Sequence, residues 1–176
     1  MSSPKRFALP PVPLTELYLH EALRCLLHTV LFNRALGVVR PEDVESERLG
    51  VTWVQCGDAA VAASIEACVA DLQQRLAWPA DEPGRAEVTV QFYELVVTPG
   101  LIYGESKSKV AWETWVLRFD LRPQTTELRP EHVAQALRHS ALEILRHVDE
   151  NKGHLKTVKI VAQEAVTFSY DIAWSQ

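Results

Sequence analysis

The sequence predicts an α+β fold in which three helices pack against a mainly antiparallel β-sheet. Apolar residues recur at helical spacing in three long segments, and they recur at every second position in the runs 86–95 and 111–121. Two strand-like runs that are neighbours in the chain usually pair as an antiparallel hairpin. Because helices also separate some of the strands, a parallel α/β sheet is the alternative.

The hairpin formed by these two runs is expected at the centre of the sheet. Its inward positions are expected to be Val88, Val90, Phe92, Trp115, Leu117, Phe119 and Leu121. The connecting segment, residues 95–110, is predicted to be a loop with an apolar tip. The large apolar residues of that loop are Val96, Val97, Leu101, Ile102 and Tyr103. Loops normally lie on the surface, so these residues either fold back onto the domain or dock into a pocket of a partner.

The three helices are predicted over about 15–36, 59–77 and 130–150. Thr15 and Asp58 are the expected N-caps of the first two helices, because such side chains accept hydrogen bonds from the first-turn amides. On the third helix, Pro130 fits the first turn. The residues expected to face inward there are Val133, Leu137, Ala141, Ile144, Leu145 and Val148.

The remaining segments are assigned to the edges of one domain that spans residues 1–176. Residues 1–13 contain several prolines, which favour an N-terminal arm or an edge strand. The acidic run 42–47 is predicted to be a loop that precedes a strand over 49–55. Residues 151–176 form the C-terminal segment, in which alternating apolar residues predict a last strand.

Composition narrows the class of protein. The chain has 176 residues, 47% of them hydrophobic, and a net charge of -5, which argues against nucleic-acid binding through a broad basic surface. Its three cysteines lack CxxC spacing and are expected to be small core residues in a reducing compartment. No apolar run reaches the roughly 20 residues that a membrane-spanning helix needs. We therefore expect a soluble, cytoplasmic protein.

No motif for catalysis, nucleotide binding or metal binding is present. His132 and His139 are seven residues apart on one helical face, but no further ligands complete a metal site. His28 follows Cys25 by three residues; a core histidine with a backbone hydrogen-bond partner is the interpretation favoured over a Cys–His catalytic pair. We expect no enzyme activity, no metal and no cofactor.

Charged residues near the hairpin give a weaker indication. Glu94 and Glu113 have no evident partner in the sequence. The run Ser106–Lys109 is predicted to be a solvated loop, and the alternative is a weak contact with an anionic membrane surface or a phosphate group.

Four segments together resemble one known family. EALRCLLHTVLFNRALG (21–37), VTVQFYE (88–94), WETW (112–115) and the closing Phe-x-Tyr-x-Ile strand (168–172) are similar to the autophagy-related protein 101 family in order and spacing. The resemblance covers about 150 residues. The short C-terminal tail looks like that of the fungal-type members.

The resemblance implies a HORMA domain and a non-enzymatic role. Members of the family are scaffolds or adaptors of the autophagy-initiation kinase complex at the phagophore assembly site. They form a heterodimer with the HORMA domain of autophagy-related protein 13, stabilise it and recruit downstream autophagy factors.

Two partner-binding surfaces follow from the resemblance. HORMA dimers commonly use the third helix, so Gln135, His139 and Arg146 are the candidate heterodimer face. Family members also carry a finger in the hairpin loop, with a tryptophan near a phenylalanine. Here that loop has neither residue, and the finger candidate consists of Val97, Leu101, Ile102 and Tyr103.

Two other functions remain as alternatives. A HORMA-like module can capture a peptide by strand addition, with its C-terminal segment wrapped around the ligand. An enzyme of another family would need a pocket that joins Cys25 and His28 to a carboxylate.

Overall fold

The computed structural model describes residues 3–36, 39–99, 105–153, 155, 166–167 and 169–176. In chain order, the elements are β1 Lys5–Ala8, β2 Val12–Leu14, α1 Glu16–Arg34, β3 Ala35–Leu36, β4 Glu42–Glu45, β5 Thr52–Gln55, α2 Ala59–Arg75, β6 Gly84–Pro99, β7 Glu105–Leu121, α3 Pro130–Glu150, β8 Val166–Thr167 and β9 Ser169–Ser175. In this described part of the chain, three helices accompany a sheet of mostly antiparallel strands, so the α+β prediction is confirmed. The parallel α/β alternative is wrong, because parallel pairing there is confined to β1 and β2 against β7.

The β6–β7 hairpin lies at the centre of the main sheet. The strand order is β1-β7-β6-β9, with β2 also paired to β7. In the inner part of the hairpin, residues 86–92 and 115–121, every second residue points into a core shared with the helices, and Val88, Trp115 and Leu117 have no exposed surface. Burying a side chain of this size stabilises the fold by roughly 1.5–3 kcal/mol.

The hairpin strands are longer than the sequence predicts. β6 continues to Pro99 and β7 begins at Glu105, so the predicted loop over residues 95–110 is wrong for most of its length. Backbone pairing runs on from Glu94 opposite Val110 to Pro99 opposite Glu105. A facing strand supplies hydrogen bonds to residues of any type, which is why pairing overrides the local sequence here.

The acidic run 42–47 is the second correction. Glu42–Glu45 forms β4 and pairs with β5, placing Val44 opposite Trp53. Side chains reinforce this pairing, since Gln55 donates a 2.9 Å hydrogen bond to Glu42. The prediction failed because the acidic residues look like a loop until their partner strand is known.

The helices begin and end close to the predicted residues. Asp58 caps α2, and its carboxylate accepts hydrogen bonds from the amides of Ala60 at 2.7 Å and Val61 at 3.2 Å. Thr15 occupies the N-cap position of α1 but makes no side-chain capping bond. α1 packs against α2, α3 and β5, which makes it the central helix of the layer above the sheet.

Candidate partner-binding surfaces

The hairpin extends beyond the rest of the sheet as a two-stranded ribbon. In the described part of the chain, β9 pairs with β6 only as far as Tyr93, and β1 pairs with β7 only from Glu113 onward. The register shifts between Phe92 and Tyr93, where Trp112 is the extra residue of a bulge. A bulge bends and twists the strand that carries it, so we expect the ribbon to leave the plane of the sheet at this point.

The ribbon carries exposed apolar side chains. Leu95 is 55% exposed and Val96 is 39% exposed. At its base, the Lys109 ammonium lies 2.6 Å from the Asp171 carboxylate of β9 and 4.3 Å from the centre of the Tyr93 ring. The hydrogen bond to Asp171 raises the pKa of Lys109, and the one to Tyr93 adds to it. These contacts join the base of the ribbon to β9.

The predicted finger residues are placed in part. Val97 lies in β6, with its backbone opposite Lys107. Leu101, Ile102 and Tyr103 lie outside the described residues. The polar run Ser106–Lys109, predicted to be a loop, belongs to β7.

The candidate heterodimer face lies along α3. Gln135, His139 and Arg146 are all exposed, and their spacing places them on one side of the helix. Arg146 donates a 2.6 Å hydrogen bond to Glu143 and also lies 3.7 Å from Glu150. These two carboxylates hold the guanidinium against the helix surface.

The exposure of two leucines on this side of α3 was not predicted from the sequence. Leu142 is 64% exposed and follows His139 by three residues. Leu145 is 47% exposed, so the prediction that it faces inward is wrong. Periodicity alone cannot separate a leucine at the margin of a helix's buried face from one inside it. Leu142 interrupts the polar pattern, and that signal was available in the sequence.

A cavity of about 450 Å³ opens beside these leucines. It lies between α1, α3 and the segment formed by Val51 and β5. Its lining is mostly apolar and includes Phe32, Val54, Ala141, Leu142 and Leu145. This volume is within the range of protein sites that take up a ligand or a partner side chain.

A buried ion pair fixes the end of α1 against the hairpin. Arg34 and Glu113 are 1% and 0% exposed, and two hydrogen bonds of 2.7 and 3.0 Å join the guanidinium to the carboxylate. The indole of Trp115 donates to the same carboxylate. Sequence reasoning found no partner for Glu113, although the alternation through Trp115 and Leu117 already placed it on the inward face.

His28 and Cys25 do not form a catalytic pair. Cys25 lines the cavity beside α3, whereas His28 lines a separate cavity of about 210 Å³ next to Cys56 and Asp58. Burial raises the pKa of the Cys25 thiol to about 12, which keeps it protonated. His28 is 2% exposed, as expected of a core histidine, but within the described residues neither ring nitrogen has the predicted backbone partner.

Comparison with known proteins identifies the family. A family model described as autophagy-related protein 101 matches residues 12–161. The chain belongs to the autophagy-related protein 101 family. It is also similar to the autophagy-related protein 101 of Arabidopsis thaliana, with 26% identity over 163 aligned positions; the alignment covers 80% of this chain and 74% of the plant protein.

Membership of the autophagy-related protein 101 family gives the chain a function related to autophagy and confirms the resemblance found in the sequence. The three helices on a mostly antiparallel sheet are consistent with the HORMA-type domain expected of this family. In the part of the chain that the structure describes, no helix is long and apolar enough to cross a membrane. The described residues also contain no group of three potential metal ligands.

Proposed function

We propose that this protein is a non-enzymatic adaptor of the autophagy-initiation kinase complex. As one domain, it forms a heterodimer with the HORMA domain of autophagy-related protein 13, stabilises that domain, and is recruited from the cytoplasm to the phagophore assembly site. The exposed apolar stripe on α3, centred on Leu142, is the observation that carries the proposal.

The α3 surface has the composition of a protein interface. Leu142 and Leu145 supply exposed apolar area, and Gln135, His139 and Arg146 supply a polar margin around it. Interfaces combine a few apolar anchors with such a rim. Most of an exposed leucine's surface contributes nothing to the stability of the monomer, so a partner that covers it gains the burial energy.

Substitution on α3 tests the heterodimer. Leu142→Ser should weaken binding to the protein 13 HORMA domain by about tenfold or more, because an interface anchor often contributes over about 1 kcal/mol. His139→Ala with Arg146→Ala, at the polar margin, should weaken it less. Titration calorimetry with purified partners measures the dissociation constant. Leu17→Ser is the matched control, since Leu17 is a 55% exposed leucine of α1. If the wild-type chain does not bind the partner at micromolar concentration, the proposal is wrong.

The ribbon is proposed as the second surface, which recruits downstream autophagy factors. Leu95 and Val96 are exposed on the part of β6 that extends past the sheet, and Leu101, Ile102 and Tyr103 follow in the sequence as further apolar residues. A protruding pair of strands carrying apolar side chains fits the pockets of other proteins without disturbing the core.

A triple substitution tests the ribbon. Leu101→Ser, Ile102→Ser and Tyr103→Ser together should leave thermal stability and the heterodimer unchanged while recruitment of downstream factors falls. Pull-down from an autophagy-competent extract measures recruitment, and circular dichroism measures folding. Loss of the folded state would show that these residues belong to the core and would refute the finger.

A further inference from the structure

The cavity beside α3 contains an unusual polar group. Trp53 of β5 lines it and is 5% exposed, yet its indole N–H is buried without a hydrogen-bond partner in the described part of the chain. The indoles of Trp78, Trp115 and Trp174 each donate to a protein oxygen. A buried donor without an acceptor destabilises the fold, so an oxygen supplied from outside would recover that lost energy.

Arg138 adds a charge at the rim of the same cavity. It is exposed, and its guanidinium donates a 2.9 Å hydrogen bond to the carbonyl oxygen of Gly50. In the residues that the structure describes, no carboxylate forms an ion pair with it, whereas Arg146 on the same helix has two. A cation that is positioned by a backbone contact and lacks a carboxylate favours an acidic group on whatever covers the cavity.

We infer that the cavity receives a large apolar side chain of the heterodimer partner, with a partner oxygen accepting from Trp53 and a partner carboxylate pairing with Arg138. This inference rests on the proposed function, and it names the chemistry of the partner segment: an apolar anchor with an acidic residue beside it. The cavity floor is provided by α1 and β5, and its outer wall is the part of α3 that carries Leu142 and Leu145.

Continuity with the leucines favours a protein segment over a small molecule. Leu142 and Leu145 line the cavity and are also 64% and 47% exposed, so the apolar surface extends from the cavity onto the open side of α3. A small molecule would occupy the cavity and leave that outer area in water. A partner segment covers both, as anchors in pockets surrounded by flat contacts do.

Filling the cavity provides the first test. Ala141→Phe places a ring into the space from a half-buried position on α3, and it should weaken binding to the protein 13 HORMA domain by about tenfold or more, in line with the loss of one interface anchor. Ala67→Phe, at an exposed position of α2, is the matched control for stability and binding. Arg138→Glu should weaken binding, and Arg138→Lys should retain most of it.

The indole signal of Trp53 provides a direct readout. The five tryptophans of the chain give five indole resonances in a nitrogen–proton correlation spectrum, and Trp53→Phe assigns the relevant one. On addition of the partner, the Trp53 proton should move downfield as it gains an acceptor, and the Ala141→Phe variant should not show this shift.

The outcomes separate the two proposals. If Leu142→Ser weakens the heterodimer but Ala141→Phe and the Trp53 signal do not respond, the cavity inference is wrong and the α3 interface remains. If the wild-type chain forms no heterodimer, both are wrong. Concentration-dependent self-association that Ala141→Phe abolishes would assign the cavity to a second copy of this chain and would also overturn the inference.

Discussion

At the scale of single residues, the core encloses two polar groups that matter for the fold, the Arg34–Glu113 ion pair and His28. Arg34 and Glu113 neutralise each other at the junction of α1 and β7, and the guanidinium also lies 5.7 Å from the centre of the Trp115 ring. One guanidinium nitrogen, Nη1, has no partner in the described part of the chain. Such a pair contributes little net energy when intact, but breaking it leaves one buried charge alone.

Glu113→Gln should therefore lower the free energy of unfolding by about 3–5 kcal/mol, because it leaves the Arg34 charge buried without a counterion. Urea denaturation followed by tryptophan fluorescence measures the change. Glu87→Gln, in the half-exposed pair with Arg118 at 3.5 Å, is the control and should cost under about 1 kcal/mol. Equal effects at the two sites would mean that water reaches Arg34.

His28 is the second enclosed polar group. Desolvation by burial and, to a smaller extent, the positive charge of Arg24 lower its pKa to about 4, although the negative charge of Glu66 partly opposes them. The ordinary pKa of histidine is 6.5. Between these values the unfolded chain binds a proton that the folded chain does not, so stability is complete above about pH 6.5 and falls as the pH drops toward 4.

Removing this titration should flatten the pH dependence. Wild-type protein should lose up to about 3 kcal/mol more than His28→Leu between pH 7 and pH 4, because each pKa unit corresponds to about 1.4 kcal/mol. Denaturation at a series of pH values measures the difference, in which the titration of the carboxylates cancels. Parallel curves for the two proteins would show that His28 has the same pKa in the folded and the unfolded chain.

At the scale of elements, local capping and long-range pairing act in different places. Asp58 starts α2 with two hydrogen bonds that depend on neighbouring residues alone. β4 and the outer half of the hairpin exist because a facing strand completes their hydrogen bonds. The Asp58 cap was predicted from the sequence, whereas β4 and the outer half of the hairpin were not.

Asp58→Ala should destabilise the protein by about 1 kcal/mol, the usual cost of losing an N-cap side chain. Thermal denaturation measures the change. Arg129→Ala is the control, because Arg129 holds the N-cap position of α3 without a side-chain capping bond. A loss at Arg129 as large as that at Asp58 would show that the capping bonds are not responsible.

At the scale of the whole molecule, the two ends of the chain cover opposite sides of the central hairpin. β1 and β2 pair with β7, and β9 pairs with β6. β9 is also fastened to α2, because Trp174 donates a 2.7 Å hydrogen bond to Asp71. Just beyond the ends of these two elements, Gln176 donates to the backbone of Ala77 at 2.6 Å. The bond from Trp174 lowers the pKa of Asp71, and Arg75 lowers it further.

Deleting residues 169–176 should cost about 3 kcal/mol or more and promote self-association, because it removes three half-buried side chains, Tyr170, Ile172 and Trp174, and opens the edge of β6. Light scattering after gel filtration and urea denaturation measure these effects. Asp71→Ala, which breaks the indole bond but keeps the strand, should cost about 1 kcal/mol. A stable, monomeric deletion variant would show that β9 is dispensable.

The candidate surfaces were predictable to different degrees. Spacing placed Gln135, His139 and Arg146 on one exposed side of α3, because helical geometry follows from local sequence. The exposure of Leu145 and the cavity next to it were not predictable, because both depend on how closely α3 approaches α1 and β5. The finger residues Leu101, Ile102 and Tyr103 stay predictions.

The sequence by itself determined the three helices, the alternating core of the hairpin and the family, since periodicity and capping are local and motifs need no coordinates. The tertiary structure alone decided that Glu113 meets Arg34, that acidic residues 42–45 form a strand, and that the hairpin continues past the sheet. Each of these depends on groups that are distant in the chain. Their contacts exist only after the core has brought the elements together.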